Sequence, residues 1–534
     1  MCKSERYFLI LLVLFVAWMC VGIFPLQCYE TDGNEIILGC DVMYRNGWSF
    51  PPVYSYEYRM QPLITILIVA LKHLLPFLTC EQIYCVLTVV SSFVFLAGCI
   101  TFARQITQAS KTRILIAAIL LPEMYAIAMY PNTAIPSVAC FLWALILMGR
   151  QRYWQSGVLM CLAILFRLDI VIVFPAILPL LIYQGKSLRQ TIQTSAVYAV
   201  IVVAAALFLF WLLRADALNT YGSYQQWNHI ITPIERILAI FGFYSLTYLI
   251  LLPIGLCVII AQRRWKELFL VLLPILLLHG IYASFGNASK HFLYNAPFVI
   301  IAGVRALSWL EETLRRRPVL KWTALVLALL LMTVSLRKRS VDMPWLQTCP
   351  LQQAGMVLPL YTTQTASAEV TLGIGAGYQL LTNDEAMLAS GHLFYTWYIH
   401  QFKSALGEWR AQQKAVLDSV GTSNILTFEW GTSAPVAFDQ MTDESRFCVV
   451  PSMPQDYRFT ISDSQRDLHF WRVILYEGVR DKQQIESYID SLSSKMVAGD
   501  KYVVAATPTA HILDEIAQTG KLTKKADRLY QLNE

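Results

Sequence analysis

An aspartate stands at position 32, just past the first long apolar run, and Glu35 follows three positions later. If the stretch is helical, that spacing puts both carboxylates on one face. A carboxylate at the edge of an apolar run can stay ionised while facing a lipid head group. Two readings of Asp32 follow: the capping residue of a helix over 34–45, or a general base that takes a proton from a hydroxyl. A base working beside a phosphate leaving group needs cations to hold that group. The chain offers Arg59, Arg167, Arg214, Lys290 and His291. Arg167 is the most informative, because an arginine inside an apolar stretch is costly. Asp169 either pairs with it or caps the next short helix, and the structural alternative is an internal pair that holds a bend. Lys290 and His291 read as phosphate contacts or as anchors at a membrane end.

These residues sit in a chain that is not an ordinary soluble protein. Of 534 residues, 56% are hydrophobic and 15% charged, and the mean hydropathy is +0.49. Globular chains carry roughly 45–50% apolar and about 25% charged residues. Charge is missing from long blocks between 8 and 336 and returns at ordinary density from Arg337. A small secreted domain, a fibre and a disordered chain are excluded. The pattern predicts a polytopic α-helical membrane module over 1–336 and a soluble C-terminal domain over 337–534. The net charge of +6 does not argue for nucleic acid. Arg263-Arg264, Arg315-Arg316-Arg317 and Arg337-Lys338-Arg339 end apolar runs and read as topology and head-group signals.

The run 8–24 follows Lys3 and Arg6 without a small-residue cleavage box, and reads as an uncleaved first helix with a cytoplasmic N-terminus. Further candidates are 83–102, 114–130, 134–148, 196–213, 237–260, 268–283, 292–308 and 322–336. Several are close to the lower limit for crossing about 30 Å of hydrocarbon. The stretch 157–183 is either one tilted helix or two short ones turning at 166–169. The stretch 62–78 is interrupted by Lys72, His73 and Pro76. If 62–78 stays at the outer surface and 157–183 passes twice, Arg104, Lys111, Arg113, Arg150, Arg152, Lys186 and Arg189 all face the cytoplasm. That agrees with the lysine and arginine bias and gives about eleven crossings. The outer side then holds a long first loop, 27–61, the loop 131–133, the 167–169 turn, the loops 214–236 and 284–291, and the tail. Asn132, Glu123 and the amide- and aromatic-rich 214–236 add polar groups in the membrane region and at that side.

Within the tail, 342–369 is rich in Pro, Thr and Gln and reads as a connector. Residues 383–418 predict helix, broken near Gly407. β-type runs at 425–430, 447–450, 470–476 and 502–506, with helical patterns at 481–496 and 510–519, predict a small α/β or α+β domain. It carries no GxGxxG, Walker A, HExxH or GxSxG pattern. The twelve cysteines form no CxxC and no metal spacing, and no structural zinc site is predicted. Cys28 with Cys40, and Cys349 with Cys448, are the couples that would form disulfides in an oxidising compartment.

Taken in order, Asp32, Met43, Gly47-Trp48 and Gln61-Pro62 resemble the first outer loop of the C-type-fold (GT-C) polytopic glycosyltransferases, which use polyprenyl- or dolichyl-phosphate sugars. The likeness is to the aminoarabinose transferase and protein O-mannosyltransferase group, with a fainter one to a further group of mannosyltransferases. That family carries an Asp-Glu pair at the start of the loop. Here Gly33 stands in the Glu position, which leaves Glu35 or Glu57 to supply its function. Arg167 and Asp169 resemble the family's arginine in its short-helix pair. His291-Phe292 followed by Pro297 resembles its Arg-Phe/Tyr then Pro near a late crossing. The resemblance spans roughly 1–310, and the tail matches the family's extracytoplasmic domains in position only.

What the resemblance implies is an inverting sugar transfer from a polyprenyl-phosphate donor to an extracytoplasmic glycan, lipid or protein acceptor. It implies Asp32 as base with Glu35 beside it, and Glu57, Arg59, Arg167, Asp169, Lys290 and His291 as substrate and phosphate contacts. No metal ligand is assigned. The oligosaccharyltransferase relatives use a metal, so a divalent metal cofactor stays open.

Two other classes compete. A lipid-linked-sugar flippase or transporter would place ionisable residues near the bilayer midplane and often shows internal repeats; no repeat is found. A non-catalytic envelope assembly protein needs fewer crossings than eleven. The expected partners are membrane lipid, the lipid-linked sugar and its acceptor, without nucleic acid. The expected location is a bacterial inner membrane, with the tail in the periplasm.

Overall fold

The computed structural model describes residues 3–28, 31–45, 47–48, 61–121, 124, 128–129, 131–213, 233–285, 289–332, 335–339, 356–362, 367–372, 395–419, 423–429, 446–451, 456–462, 467–474, 482–496, 498–505 and 510–533. For several stretches, including 31–32, 35, 233–243, 281–285 and 289–291, it describes the backbone alone.

The first part is a helical bundle. In order it comprises α1 (Lys3–Ile23), α2 (Thr31–Arg45), α3 (Pro62–Leu74), α4 (Cys80–Thr107), α5 (Lys111–Ile119), α6 (Ala134–Gly149) and α7 (Tyr153–Phe166). A 3-10 helix, Leu168–Ala176, leads into α8 (Ile177–Tyr183), α9 (Leu188–Leu213), α10 (Pro233–Ala261) and α11 (Trp265–Phe285). A second 3-10 helix, Ser289–Asn295, precedes α12 (Ala296–Leu314) and α13 (Pro318–Leu331). Local chemistry sets several starts. Thr79 and Gln82 form a reciprocal capping box at the head of α4, which satisfies two otherwise orphaned amides. Pro62 opens α3, where its missing N–H costs nothing.

Polar side chains sort to the two ends of this bundle. At one end Tyr183 donates to the Ile106 carbonyl at 2.9 Å, and Arg305 grips both oxygens of Glu267 at 2.6 and 2.8 Å. At the other end lie Thr133, Arg167 and Asp169. Helices α6 and α7 run antiparallel between the ends. Ser137 donates to the Ala163 carbonyl at 2.7 Å and Ser156 to the Ala144 carbonyl at 2.8 Å, contacts suited to a medium that offers no competing water. At Arg167 the backbone becomes extended and α7 ends. The chain then returns through the 3-10 helix and α8. The stretch 157–183 therefore runs out and back, with its apex at Arg167.

Eleven crossings are not reached by helix length. Among the described residues five helical spans are long and apolar enough to cross a membrane: Glu5–Ile23, Cys80–Thr107, Leu188–Leu209, Tyr244–Ala261 and Phe292–Leu314. The apolar helices Pro62–Leu74, Ala134–Gly149, Tyr153–Phe166, Leu168–Tyr183 and Pro318–Leu331 are shorter. A helix rising 1.5 Å per residue needs about 20 residues to span the hydrocarbon, and hydropathy along a sequence does not reveal where prolines and extended residues cut a run. The chain is a multi-pass α-helical membrane protein, and apolar side chains such as Val13, Val200, Trp211 and Leu330 are exposed on its flanks.

The tail is a layered α/β domain. Its long helix is α14 (Tyr395–Leu417). The strands are β4 (Ser423–Glu429), β5 (Arg446–Pro451), β6 (Asp456–Ser462), β7 (Asp467–Ile474), β8 (Asp500–Ala505), β9 (Leu522–Ala526) and β10 (Leu529–Leu532), with α15 (Lys482–Ser493) and α16 (Ala510–Gln518) between them. These strands form a seven-stranded sheet in the order β5-β6-β7-β4-β8-β10-β9. The centre, β7-β4-β8, is parallel, and the outer pairs are antiparallel. Alternate residues of a strand face opposite sides, and both sides are covered. Ile425, Phe470, Tyr502 and Leu529 share a core with α14 that is continuous with the membrane bundle. Leu426, Phe428, Val503 and Tyr530 pack against α15 and α16.

Two expectations fail here. The region read as a connector contains sheet: β2 (Met356–Thr362) and β3 (Ser367–Leu372) join β1 (Ser335–Arg339) in an antiparallel sheet of order β1-β3-β2. Pro359 is compatible with this because β2 is an edge strand, and the register shifts just after it. Helix α14 is unbroken at Gly407. A Cβ there would lie 2.9 Å from the Gln27 amide nitrogen, so the glycine serves a close approach rather than a break. Residues 383–394 of the predicted helix lie outside the described residues.

Candidate active site

Helix α2 begins at Thr31, so Asp32 stands inside the first turn rather than ahead of it as a cap. That turn is the positive end of the helix dipole, where a carboxylate or another anion is favoured. Asp32 and Glu35 share a face by their spacing, and their side chains lie outside the described set. Helix α2 is anchored by its apolar residues: Ile36, Ile37, Cys40 and Met43 pack with Ile64, Ile68 and Val69 of α3 and with Cys80, Ile83 and Tyr84 of α4. Gly47 and Trp48 both take left-handed backbone, with φ of 65° and 70°, and end the helix. The Trp48 N–H donates to the Met43 carbonyl at 3.0 Å, and its ring stacks on His73 at 5.4 Å. Met43 and Gly47-Trp48 thus shape and end α2, while Gln61-Pro62 starts α3.

The glycine in place of the second acidic residue has a local cause. A Cβ on Gly33 would sit 2.5 Å from the Cys28 sulfur and 3.2 Å from the Pro131 carbonyl oxygen. No larger residue fits at this place in the first turn of α2 without movement of its neighbours. The same approach places the head of α2 against the segment 131–133.

That segment leads to Arg167. The Arg167 Nε reaches both oxygens of Asp169, at 3.0 and 2.9 Å, and its Nη1 donates to Thr133 at 3.4 Å. Tyr294 donates its hydroxyl to Asp169 at 2.7 Å. Asp169 therefore pairs with Arg167 from inside the first turn of the 3-10 helix, where Arg167 holds the N-cap position. Asn132 accepts from the Ala134 N–H at 2.7 Å and opens α6. Lys290 and His291 lie on the 3-10 helix that carries Tyr294, with side chains outside the described set. The segments bearing Gly33, Thr133, Arg167, Asp169 and Tyr294 thus meet at one end of the bundle. Close by, the His279 Nδ1 contacts the Ile275 carbonyl oxygen at 2.8 Å, and its ring packs between Tyr244 and Phe292.

A second polar group, absent from the sequence reading, lies behind the head of α2. Glu81, in the first turn of α4, accepts from the Cys28 N–H at 2.8 Å and from Arg410 of α14 at 2.9 and 3.1 Å. Lys403 donates to the Gly22 and Ile23 carbonyls at 3.0 Å each, and burial pushes its ammonium down to about 8. The Thr79–Gln82 capping pattern was a legible signal for the position of Glu81; nothing in the sequence marks Arg410 as its partner. Asp41, on the α3 side of α2, is pushed up to about 6 by burial, against the Cys80 thiol and the charges of Arg45 and Lys72.

Glu57, Arg59, Arg214 and Glu123 lie outside the described residues, as does the loop 214–232. Cys40 is a free thiol, so no disulfide joins it to Cys28. Cys349 is outside the described residues. Among the described residues no group of three or more His, Cys, Asp and Glu side chains is placed to hold a metal ion.

No protein-family profile matches the sequence, and no curated protein matches it. Solved structures do match in three dimensions. The crystal structure of ArnT from Cupriavidus metallidurans bound to undecaprenyl phosphate superposes with a TM-score of 0.59 at 12% identity, covering 98% of this chain and 97% of that one. The apo state of the same protein gives 0.56 at 11% identity with the same coverage. At these identities the likeness is one of fold. It runs through the helical bundle and the tail together.

Proposed function

We propose that the chain is an integral-membrane glycosyltransferase of GT-C type that moves a sugar from a polyprenyl phosphate to an extracytoplasmic glycan, lipid or protein. The observation that carries this reading is the fold shared over 98% of the chain with a protein crystallised on undecaprenyl phosphate. The end of the bundle where the head of α2 meets Arg167, Asp169 and Tyr294 supports it.

In the proposed reaction Asp32 takes the proton of the acceptor hydroxyl while the hydroxyl oxygen attacks the anomeric carbon. The bond from that carbon to the phosphate oxygen breaks, and its electron pair leaves with the phosphate. The configuration inverts in one displacement. The developing phosphate charge is met by Arg59, Lys290 and His291, with Arg167 held at the same end by Asp169 and Tyr294. Glu35, one turn from the base, and Glu57 take the substrate-binding places. Electrostatic stabilisation of this kind is commonly the largest part of such catalysis. Residues 1–336 act as the transferase module and 337–534 as an extracytoplasmic domain, in a bacterial inner membrane with the N-terminus in the cytoplasm.

The test is sugar release from a panel of undecaprenyl-phosphate sugars by purified wild type and Asp32→Asn. Loss of turnover in a folded Asp32→Asn protein is the expected result. Transfer at the wild-type rate removes Asp32 as base, and an impermeant thiol label that fails to reach a cysteine placed at Ser419 in whole cells removes the topology.

A further inference from the structure

The segment joining α1 to α2 is only seven residues long, 24–30, and it sets where Asp32 stands. Its surroundings are built by a helix almost 400 residues later. Lys403 of α14 caps the last carbonyls of α1, the position where a cation best offsets the helix dipole. His400 Nδ1 meets the Phe24 carbonyl oxygen at 2.9 Å. Gly22 is needed for this approach, since a Cβ there would lie 2.9 Å from the Thr396 backbone. Next along the segment, the Cys28 N–H is held by Glu81, and Glu81 by Arg410. Arg410 and Glu81 are 8% and 9% exposed. Helix α14 is itself braced by the C-terminal hairpin: Trp409 and Gln413 donate to the Asp527 carbonyl at 2.9 and 2.6 Å.

We infer that Arg410 is a positioning residue for sugar transfer: through Glu81 it fixes Cys28, and with it the entry of α2 that carries Asp32. The tail domain is then part of the catalytic apparatus rather than an appendage. This inference rests on the proposed role of Asp32. A buried Glu81 that loses Arg410 loses the bidentate partner that fixes its carboxylate, and its hold on the Cys28 amide loosens. A displacement of about 1 Å in a reacting group costs on the order of 100-fold in rate.

Native-state alkylation of the full-length protein in detergent tests this, with Arg410→Met and the charge-keeping Arg410→Lys beside wild type. Cys28, Cys40 and Cys99 are all fully buried, so each reports its own neighbourhood by mass spectrometry. Arg410→Met is expected to raise the labelling rate of Cys28 at least tenfold while Cys40 and Cys99 stay protected. With whichever undecaprenyl-phosphate sugar the wild type turns over, kcat is expected to fall on the order of 100-fold with KM within about threefold. Arg410→Lys should restore part of both. Labelling of all three cysteines together in both variants marks a global role and overturns the inference, as does a wild-type kcat with Cys28 exposed. If Asp32→Asn retains full turnover, the catalytic reading fails instead, while the selective labelling of Cys28 still reads the clamp.

Discussion

Tyr294 and Asp169, 125 residues apart, share a 2.7 Å hydrogen bond that locks two 3-10 helices together at the same end of the bundle as the head of α2. Asp169 also neutralises Arg167, so a single carboxylate holds both the turn of the chain and the segment beside Lys290. Removing the Tyr294 hydroxyl takes away a hydrogen bond to a charged group. Tyr294→Phe should cost about 1.5–3 kcal/mol, and its effect should shrink in an Asp169→Asn background. Thermal unfolding in detergent, run as a double-mutant cycle, measures that coupling. Additive effects would show that the two residues act apart.

Restoring the family's second acidic residue should harm the protein. Gly33→Glu drives a Cβ to 2.5 Å from the Cys28 sulfur, a separation that forces the segment to move. A melting point below wild type is expected, without a gain in sugar transfer. Cys28→Ala in the same chain should recover part of the loss, and only part, because the Pro131 carbonyl remains 3.2 Å away.

Asp41 gives a pH dependence with a definite sign. Its pKa stands at about 6 in the folded chain against an ordinary 3.8, so between those values the folded state keeps a proton that the unfolded state releases. The resulting stability is fully present below 3.8 and is lost as pH rises through 6. The melting temperature of wild type should therefore contain a component that falls from pH 4 to pH 6.5. Asp41→Asn should flatten that component and melt higher than wild type at pH 7.5. An unchanged slope in the variant would assign the titration elsewhere.

The Arg305–Glu267 pair at the far end of the bundle is buried, with side chains 11% and 3% exposed. Glu267→Gln leaves a guanidinium without its full counter-charge and should cost about 3–5 kcal/mol. Arg305→Met with Glu267→Met should cost less than either single change, since two apolar side chains need no partner. Relative melting points of the four variants decide this, and a double variant less stable than both of its singles would refute it.

The membrane class, the layered tail and the apex at Arg167 were legible because each rests on a local property. Charge density, strand alternation and a costly arginine in an apolar run need no knowledge of distant residues. The strands β4, β5, β7 and β8 were visible for the same reason. Strand β2 was not, because Pro and Thr suit an edge strand as well as a linker, and the central β3 was not, because only its pairing with Ser335–Arg339 on one side and Met356–Thr362 on the other makes it a strand. Hydropathy also overran a helix: it does not register that α5 stops at Ile119.

By itself, then, the sequence determined what each segment is made of and which medium it prefers, since transfer into hydrocarbon and backbone periodicity act residue by residue. Only the tertiary structure decided which segments meet. Gly33 is explained by a sulfur five residues earlier, Asp169 by a tyrosine 125 residues on, and Glu81 by an arginine 329 residues on. Buried charges must find partners wherever the fold brings them, and the identity of those partners exists only once the chain has closed on itself.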